Sequence, residues 1–193
     1  MEDLEHNEPS YYPAAVKGGV IIGVFTFVVS LIFGYIQISA DPSASSLLIM
    51  VGLSLVSCIV GAFGGLIAVW FYSGEVDFNL QLGKGAVIGI VTGIVIVLTT
   101  TILNQIWNGL NPAYNEQLLE SMIASIESMD LPDAQEQTQV DMIYNSMKSA
   151  DSFTGVLKSL LGGALLYGVL NMITGLIGIK LFAQAKRERD PFE

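Results

Sequence analysis

The sequence predicts an all-α, polytopic membrane protein with four transmembrane helices. The chain of 193 residues is 52% hydrophobic and only 13% charged, and its mean hydropathy is +0.59, which is unusual for a soluble domain. Four long stretches contain no Asp, Glu, Lys or Arg: 18–40, 43–74, 85–115 and 159–179. Each stretch can form a helix that crosses about 30 Å of hydrocarbon at about 1.5 Å per residue.

The predicted helices follow these stretches in order. We expect them over about 15–39, 46–73, 85–107 and 156–182. Lys17 and Lys84 lie at the starts of the first and third, and Trp70 lies near the end of the second, where interfacial aromatic residues are expected. The predicted organisation is an acidic, mobile tail at 1–13, a single domain over 14–186 and a charged tail at 187–193.

The segment 111–151, between the third and fourth helices, predicts a helical insertion. Asn111 and Pro112 are typical of an N-cap followed by the first helical turn. Apolar residues then recur at steps of four and three, at Tyr114, Leu118, Met122, Ile126 and Met129. A second run of this kind follows Pro132, so we expect two amphipathic helices, with Asp151 or Ser152 capping the fourth transmembrane helix.

The distribution of basic residues predicts the orientation. Six of the eight Lys and Arg residues lie on one side of the predicted spans: Lys17, Lys84, Lys180, Lys186, Arg187 and Arg189. By the positive-inside rule, both termini are expected in the cytoplasm and the acidic insertion outside. The net charge of −10 argues against nucleic acid as a partner, since phosphate backbones are recognised by basic surfaces.

Weak internal similarity suggests that the four helices form two pseudo-repeated hairpins. Gly19 aligns with Gly85 at an offset of 66 residues, and Gly65 aligns with Gly175 at an offset of 110. The two offsets differ by 44 residues, which is close to the length of the insertion. A duplicated hairpin with one insertion explains both offsets. Chance similarity among small and aliphatic residues is the alternative.

Small residues recur at helical spacing within the predicted spans. The predicted helix-packing seam comprises Ser54, Cys58, Gly61, Gly65, Ala68, Gly85, Gly89, Gly93, Ala164, Gly168, Asn171, Gly175 and Gly178. Small side chains let helix backbones approach closely in lipid, so this pattern favours helix association. The alternative is a polar path for an uncharged solute, lined by Asn104, Gln105, Asn171 and Thr174.

No residue pattern indicates catalysis or a cofactor. The only histidine, His6, lies near the acidic N terminus, and the only cysteine, Cys58, lies within the second span, so no metal site is expected. The predicted spans carry no central carboxylate, histidine or arginine, the groups from which proton relays are usually built. We therefore expect a protein that is not an enzyme and needs no cofactor.

The order of these features resembles the bacterial four-helix membrane family known as domain of unknown function 4199. The resemblance covers roughly Ala14 to Arg189 and rests on a glycine-rich first span starting at Lys17-Gly18, the segment 77–85, the insertion opening at 111–114 and the basic tail. It implies a location in the bacterial cytoplasmic (inner) membrane. The family offers no established activity or site residues to carry over.

Two functions are consistent with these observations. The first is a non-catalytic structural or accessory protein that acts through helix association in the lipid bilayer, with a second copy of itself or with another integral membrane protein. The second is a small oligomeric transporter or channel for an uncharged solute. The absence of charged residues within the spans favours the first.

Overall fold

The computed structural model describes residues 10–75, 81–150 and 152–189, and their side chains except at 44–50, 53–54, 149–150 and 183–189. The described chain is helical, which confirms the all-α fold class. Its helices are α1 (Tyr12–Ser39), α2 (Ala44–Ala62), α3 (Gly64–Glu75), α4 (Leu82–Leu110), α5 (Ala113–Glu127), α6 (Asp133–Ala150) and α7 (Phe153–Arg189). Most of each predicted tail, 1–9 and 190–193, lies outside the described residues, as does the potential cap Asp151.

Four helical segments are long and apolar enough to span a membrane, which confirms the predicted number of spans. They are Tyr12–Ser39, Leu55–Glu75, Leu82–Leu110 and Phe153–Phe182. Large apolar side chains on these helices are exposed, with Leu165 on α7 reaching 74%. Exposed aliphatic side chains on long helices are expected where lipid replaces water. The chain is therefore a multi-pass membrane protein.

The second span differs from the continuous helix predicted over about 46–73. It consists of α2 and α3, with a turn at Phe63 between them. The hydropathy pattern does not reveal this interruption, because the residues on both sides of Phe63 are equally apolar. At this interruption a side chain from α7 enters the backbone hydrogen bonding of the span, as described below.

The chain divides into two compact units. The first lies within Met1–Ile22, Gly61–Ile96 and Ala164–Glu193, and the second within Gly23–Val60 and Val97–Gly163. The long helices α1, α4 and α7 contribute residues to both units. The pairing of the spans as repeated hairpins stays a prediction.

The first unit is built around small and aliphatic residues. Its buried core contains Ala14, Ala15, Ala68, Val69, Tyr72, Ile88 and Ile179. The alanines of α1 allow close packing, and Gly18 lies so near Ala68 that an added Cβ would come within 2.9 Å of it. Lys17 and Glu75 form an exposed ion pair at 3.9 Å, which adds little stability because water screens it.

The second unit holds the insertion against α1 and α4 through aromatic residues. The rings of Tyr35 and Tyr114 lie 5.3 Å apart, and Trp107 packs edge-on against both, at 6.4 and 6.5 Å. Gly34 on α1 makes room for the Tyr114 hydroxyl, since a Cβ at this position would overlap with it. These contacts fix the start of α5 at the ends of α1 and α4.

The predicted N-terminal caps of α5 and α7 have different outcomes. Asn111 does not cap α5, because Pro112 is the N-cap residue and the Asn111 Nδ2 donates to the Tyr35 hydroxyl at 3.0 Å. Ser152 caps α7, as predicted, since its Oγ accepts the Gly155 N–H at 3.0 Å. The two predicted amphipathic helices are present as α5 and α6, and they pack against each other.

Candidate functional site

The second unit contains a cavity of about 550 Å³. This volume lies within the range typical of pockets for small molecules. Residues from α1, α2, α4, α5, α6 and α7 line it, so the insertion and the spans build it together. All of the described residues that line the cavity are uncharged.

Amide and hydroxyl groups supply the polar part of the lining. The amides belong to Gln37, Asn104, Gln105, Asn108 and Asn115, and the aliphatic hydroxyls to Ser30, Ser57, Thr101 and Ser159. Each carboxamide both donates and accepts hydrogen bonds. The cavity therefore offers many neutral hydrogen-bonding groups without a fixed charge.

Apolar residues form the rest of the lining, together with Gly34 and the amphipathic ring of Tyr114. They are Phe33, Leu118, Met122, Met147 and Val156. Burial raises the pKa of Tyr114 above its ordinary value, and the nearby Tyr35 adds to the rise. Tyr114 is therefore neutral at physiological pH, and the site keeps its uncharged character.

Gln37 is the most deeply buried of the amides in the cavity lining. Its side chain is only 4% exposed, and its Nε2 donates a long hydrogen bond of 3.5 Å to the Ser125 hydroxyl. The Oε1 accepts no hydrogen bond from any described residue. A buried polar atom without a partner costs about 1–3 kcal/mol. Such a cost is usually offset where a ligand or an ordered water supplies the missing partner.

The four residues of the alternative polar path belong to different units. Asn104 and Gln105 line the cavity of the second unit, whereas Asn171 and Thr174 lie in the first unit. Asn171 is fully buried, and both it and Thr174 hydrogen-bond to backbone groups of the second span. A path lined by all four residues stays a prediction.

Asn171 bridges the interruption in the second span. The Gly65 N–H donates to the Asn171 Oδ1 at 2.6 Å, and the Asn171 Nδ2 donates to the Gly61 carbonyl at 3.1 Å. In a continuous α-helix these two backbone groups would bond to each other. The carboxamide of Asn171 replaces that bond and satisfies both groups, which lipid cannot do.

Two further bonds complete the contacts around this interruption. The Thr174 hydroxyl donates to the Ala62 carbonyl at 2.6 Å, and the Asn171 Nδ2 also donates to the Tyr167 carbonyl at 2.8 Å. We call Asn171 and Thr174, with the backbone of 61–65, the polar clamp. The hydrogen bonds from its side chains to backbone groups support a structural role.

Most residues of the predicted seam lie in the first unit. These are Gly61, Gly65, Ala68, Gly85, Gly89, Gly93, Ala164, Gly168, Asn171, Gly175 and Gly178. A Cβ on Gly89 would overlap with the Asn171 carbonyl, and one on Gly175 would overlap with the Gly85 carbonyl. Here α4 and α7 approach backbone to backbone. Gly65 makes a similar approach to α7, where a Cβ would lie 2.9 Å from the Gly175 nitrogen.

Of the other seam residues, some make looser contacts and some lie outside the first unit. A Cβ on Gly178 would meet Val69 at 3.1 Å, whereas one on Gly168 would meet nothing within 4 Å. Cys58 belongs to the second unit and is half-buried. The Ser54 side chain lies outside the described residues.

Sequence reasoning did not identify Gln37 as part of a site. The signal that could have found it is a polar stripe at helical spacing on two spans, with Ser30 and Gln37 two turns apart on α1 and Thr101, Asn104 and Asn108 on one face of α4. The described residues include no group of three or more His, Cys, Asp or Glu side chains that could hold a metal ion.

Comparison with known proteins gives one match. The family model described as "Protein of unknown function (DUF4199)" matches residues 17–180. This match covers most of the chain and confirms the family resemblance drawn from the sequence. No curated protein and no solved structure matches the chain.

Proposed function

We propose that this chain, which belongs to the family "Protein of unknown function (DUF4199)", is a non-catalytic membrane protein that binds an uncharged molecule in the cavity of its second unit. The residues that line the cavity suit the binding of a molecule better than its chemical conversion. Amides and aliphatic hydroxyls without an adjacent base neither transfer protons readily nor act as nucleophiles at neutral pH. The described lining residues carry no charge that could pair with an ion, and burying an unpaired charge in a low-dielectric site is costly.

The observation that carries this proposal is the unpartnered Oε1 of Gln37. The atom is buried at a cavity whose other polar groups are neutral, so a bound molecule with a hydroxyl or N–H donor would satisfy it. Asn104 and Asn108 would supply further bonds from α4. The clamp residues contribute nothing to this site, because the backbone of the second span occupies them.

A purification experiment tests the proposal. Protein is isolated from its native membrane, and the molecules that co-purify are extracted and identified by mass spectrometry. We expect an uncharged species to co-purify with the wild type and to be depleted by Gln37→Leu, which removes the buried acceptor while keeping a similar size. Gln117→Leu is the matched control, because Gln117 is an exposed amide on α5 that does not line the cavity.

Three results of this experiment would oppose the proposal. One is a charged species, and another is an uncharged species equally retained in Gln37→Leu. The third is a stoichiometric protein partner with no small molecule, which would support an accessory role instead. Thermal melting of both variants shows whether either is merely unfolded.

An accessory role is the second candidate, and exposed apolar residues on α6 favour it. Met142 and Tyr144 are 57% and 53% exposed, although α6 lies outside the four spans. Exposed apolar side chains beside acidic residues such as Asp141 suit a partner protein or a second copy of this chain. The glycine seam is less suited to this role, because α4 and α7 of the same chain already close on it.

We also propose a bacterial cytoplasmic (inner) membrane location, with both termini in the cytoplasm. The excess of Lys and Arg near the termini supports this orientation. With Cys58 replaced by alanine, a cysteine introduced by Gln135→Cys should react with an impermeant reagent from outside intact spheroplasts, and one introduced by Glu188→Cys should not. Protection of the first and labelling of the second would invert the orientation.

A further inference from the structure

We infer that the molecule bound in the cavity is a neutral amphiphile, with a hydroxyl-bearing headgroup and an apolar chain, in the class of the monoacylglycerols. This inference rests on the proposed binding function and specifies its ligand class. It follows from the arrangement of polar and apolar residues around the cavity and from the position of the cavity in the spans.

The hydrogen-bonding side of the cavity comes from α1 and α4. Gln37, Thr101, Asn104 and Asn108 lie on these two helices, and each offers a neutral donor or acceptor. The buried Oε1 of Gln37 requires a donor, and the hydroxyl groups of a glyceryl headgroup both donate and accept. The described lining residues are all uncharged, so a phosphate or ammonium headgroup would find no opposite charge among them.

The apolar side comes mainly from α5, α6 and α7. Leu118, Met122, Met147 and Val156 line it, with Asn115 and Ser159 as the polar exceptions. A small polyol would leave this apolar side in contact with water, which is unfavourable in proportion to the apolar area exposed. Methionine side chains are flexible and polarisable, so they adapt to the irregular shape of an acyl chain.

The membrane itself would deliver such a molecule. Ser30, Thr101 and Ser159 lie within candidate spans, so at least part of the cavity lies at the depth of the spans in the second unit. An acyl chain partitions into the bilayer, and each buried CH₂ group strengthens that partitioning. A monoacylglycerol is therefore concentrated where these helices are, whereas a free polyol is not.

Trp107 provides a reporter for the test. Its ring packs 6.5 Å from that of Tyr114, which lines the cavity, and the only other tryptophan is the exposed Trp70 of the first unit. The full chain carrying Trp70→Phe, in phosphatidylcholine nanodiscs, is titrated with three probes while Trp107 fluorescence is followed. The probes are monooleoylglycerol, glycerol and the anionic oleoyl lysophosphatidic acid, and empty nanodiscs give the background.

We expect a saturable response to monooleoylglycerol, a much weaker response to the anionic probe and none to glycerol. Asn104→Leu on the polar side and Met147→Asn on the apolar side should each weaken binding of monooleoylglycerol by about threefold to tenfold. Gln117→Leu should leave it unchanged.

The unfavourable outcomes separate the inference from the proposed function. If glycerol saturates the response and monooleoylglycerol does not, the amphiphile class is wrong and binding of an uncharged molecule stands. If the anionic probe binds more tightly than the neutral one, the neutral class is wrong. A response in both cavity variants equal to that of the protein without these two changes would attribute the signal to the bilayer and overturn the inference. If no probe gives a saturable response, the amphiphile inference fails, and the purification experiment alone decides the proposed function.

Discussion

Asn171→Leu is expected to destabilise the protein by about 2–6 kcal/mol, among the largest effects of any single side-chain replacement in the first unit. The change removes both partners that the carboxamide provides to the second span, leaving the Gly65 N–H and the Gly61 carbonyl unpaired. Each unpaired buried backbone group costs about 1–3 kcal/mol. Leucine keeps the branched shape of asparagine but is bulkier, so the loss combines the missing hydrogen bonds with some overpacking. Unfolding of the purified variant in detergent measures it.

Met172→Leu is the matched control for this prediction. It alters the neighbouring half-buried residue on α7 without removing a polar group, and it should change stability by less than about 1.5 kcal/mol. If Asn171→Leu is as stable as the wild type, Gly65 and Gly61 pair with each other in the variant. The interruption at Phe63 would then not depend on the polar clamp.

Gly175→Ala is expected to cost about 1–3 kcal/mol, and Gly175→Leu to prevent α4 and α7 from packing. The added Cβ would overlap with the Gly85 carbonyl, a backbone atom that cannot move away as a flexible side chain could. Overpacking of this kind typically costs about 1–3 kcal/mol per substitution. Gly89→Ala should behave similarly, since its Cβ would overlap with the Asn171 carbonyl. Thermal melting in detergent measures both.

Gly162→Ala is the control for these glycine variants. Gly162 also lies on α7, but a Cβ there would meet nothing within 4 Å. Alanine is favoured over glycine in a helix by about 1 kcal/mol, so this variant should be unchanged or slightly more stable. Equal stability of Gly175→Ala and Gly162→Ala would contradict the assignment of Gly175 to a close helix contact.

The parts of the fold that sequence could predict depend on composition and local spacing. Uncharged stretches of sufficient length are enough to locate four spans, because the bilayer excludes charge and requires satisfied backbone. The cap at Ser152 and the regular spacing of apolar residues from Tyr114 to Ile126 are also local patterns. The cap is observed at the start of α7, and the spaced apolar residues lie on α5.

The parts that sequence could not predict depend on contacts between distant residues. The turn at Phe63 lies where Asn171, 106 positions after Gly65, enters the backbone hydrogen bonding of the second span. The glycine spacing predicted a close approach between helices. It could not show that the two helices are α4 and α7 of the same chain. The cavity depends in the same way on residues as distant as Gln37 and Met147.

The polar residues of the spans therefore serve two different purposes. In the first unit, Asn171 and Thr174 satisfy the backbone of an interrupted helix, and their polar atoms are engaged. In the second unit, amides and hydroxyls face a cavity, and Gln37 keeps an unpartnered acceptor there. The first arrangement supports a structural role, and the second supports the binding role proposed above.

A structure of the protein isolated from its native membrane, at a resolution that shows ordered ligands, tests the binding proposal most directly. We expect density for an uncharged molecule in the cavity of the second unit, with a donor atom within hydrogen-bond distance of the Gln37 Oε1. A cavity filled by the protein's own side chains, with that oxygen bonded to a protein group, would contradict it.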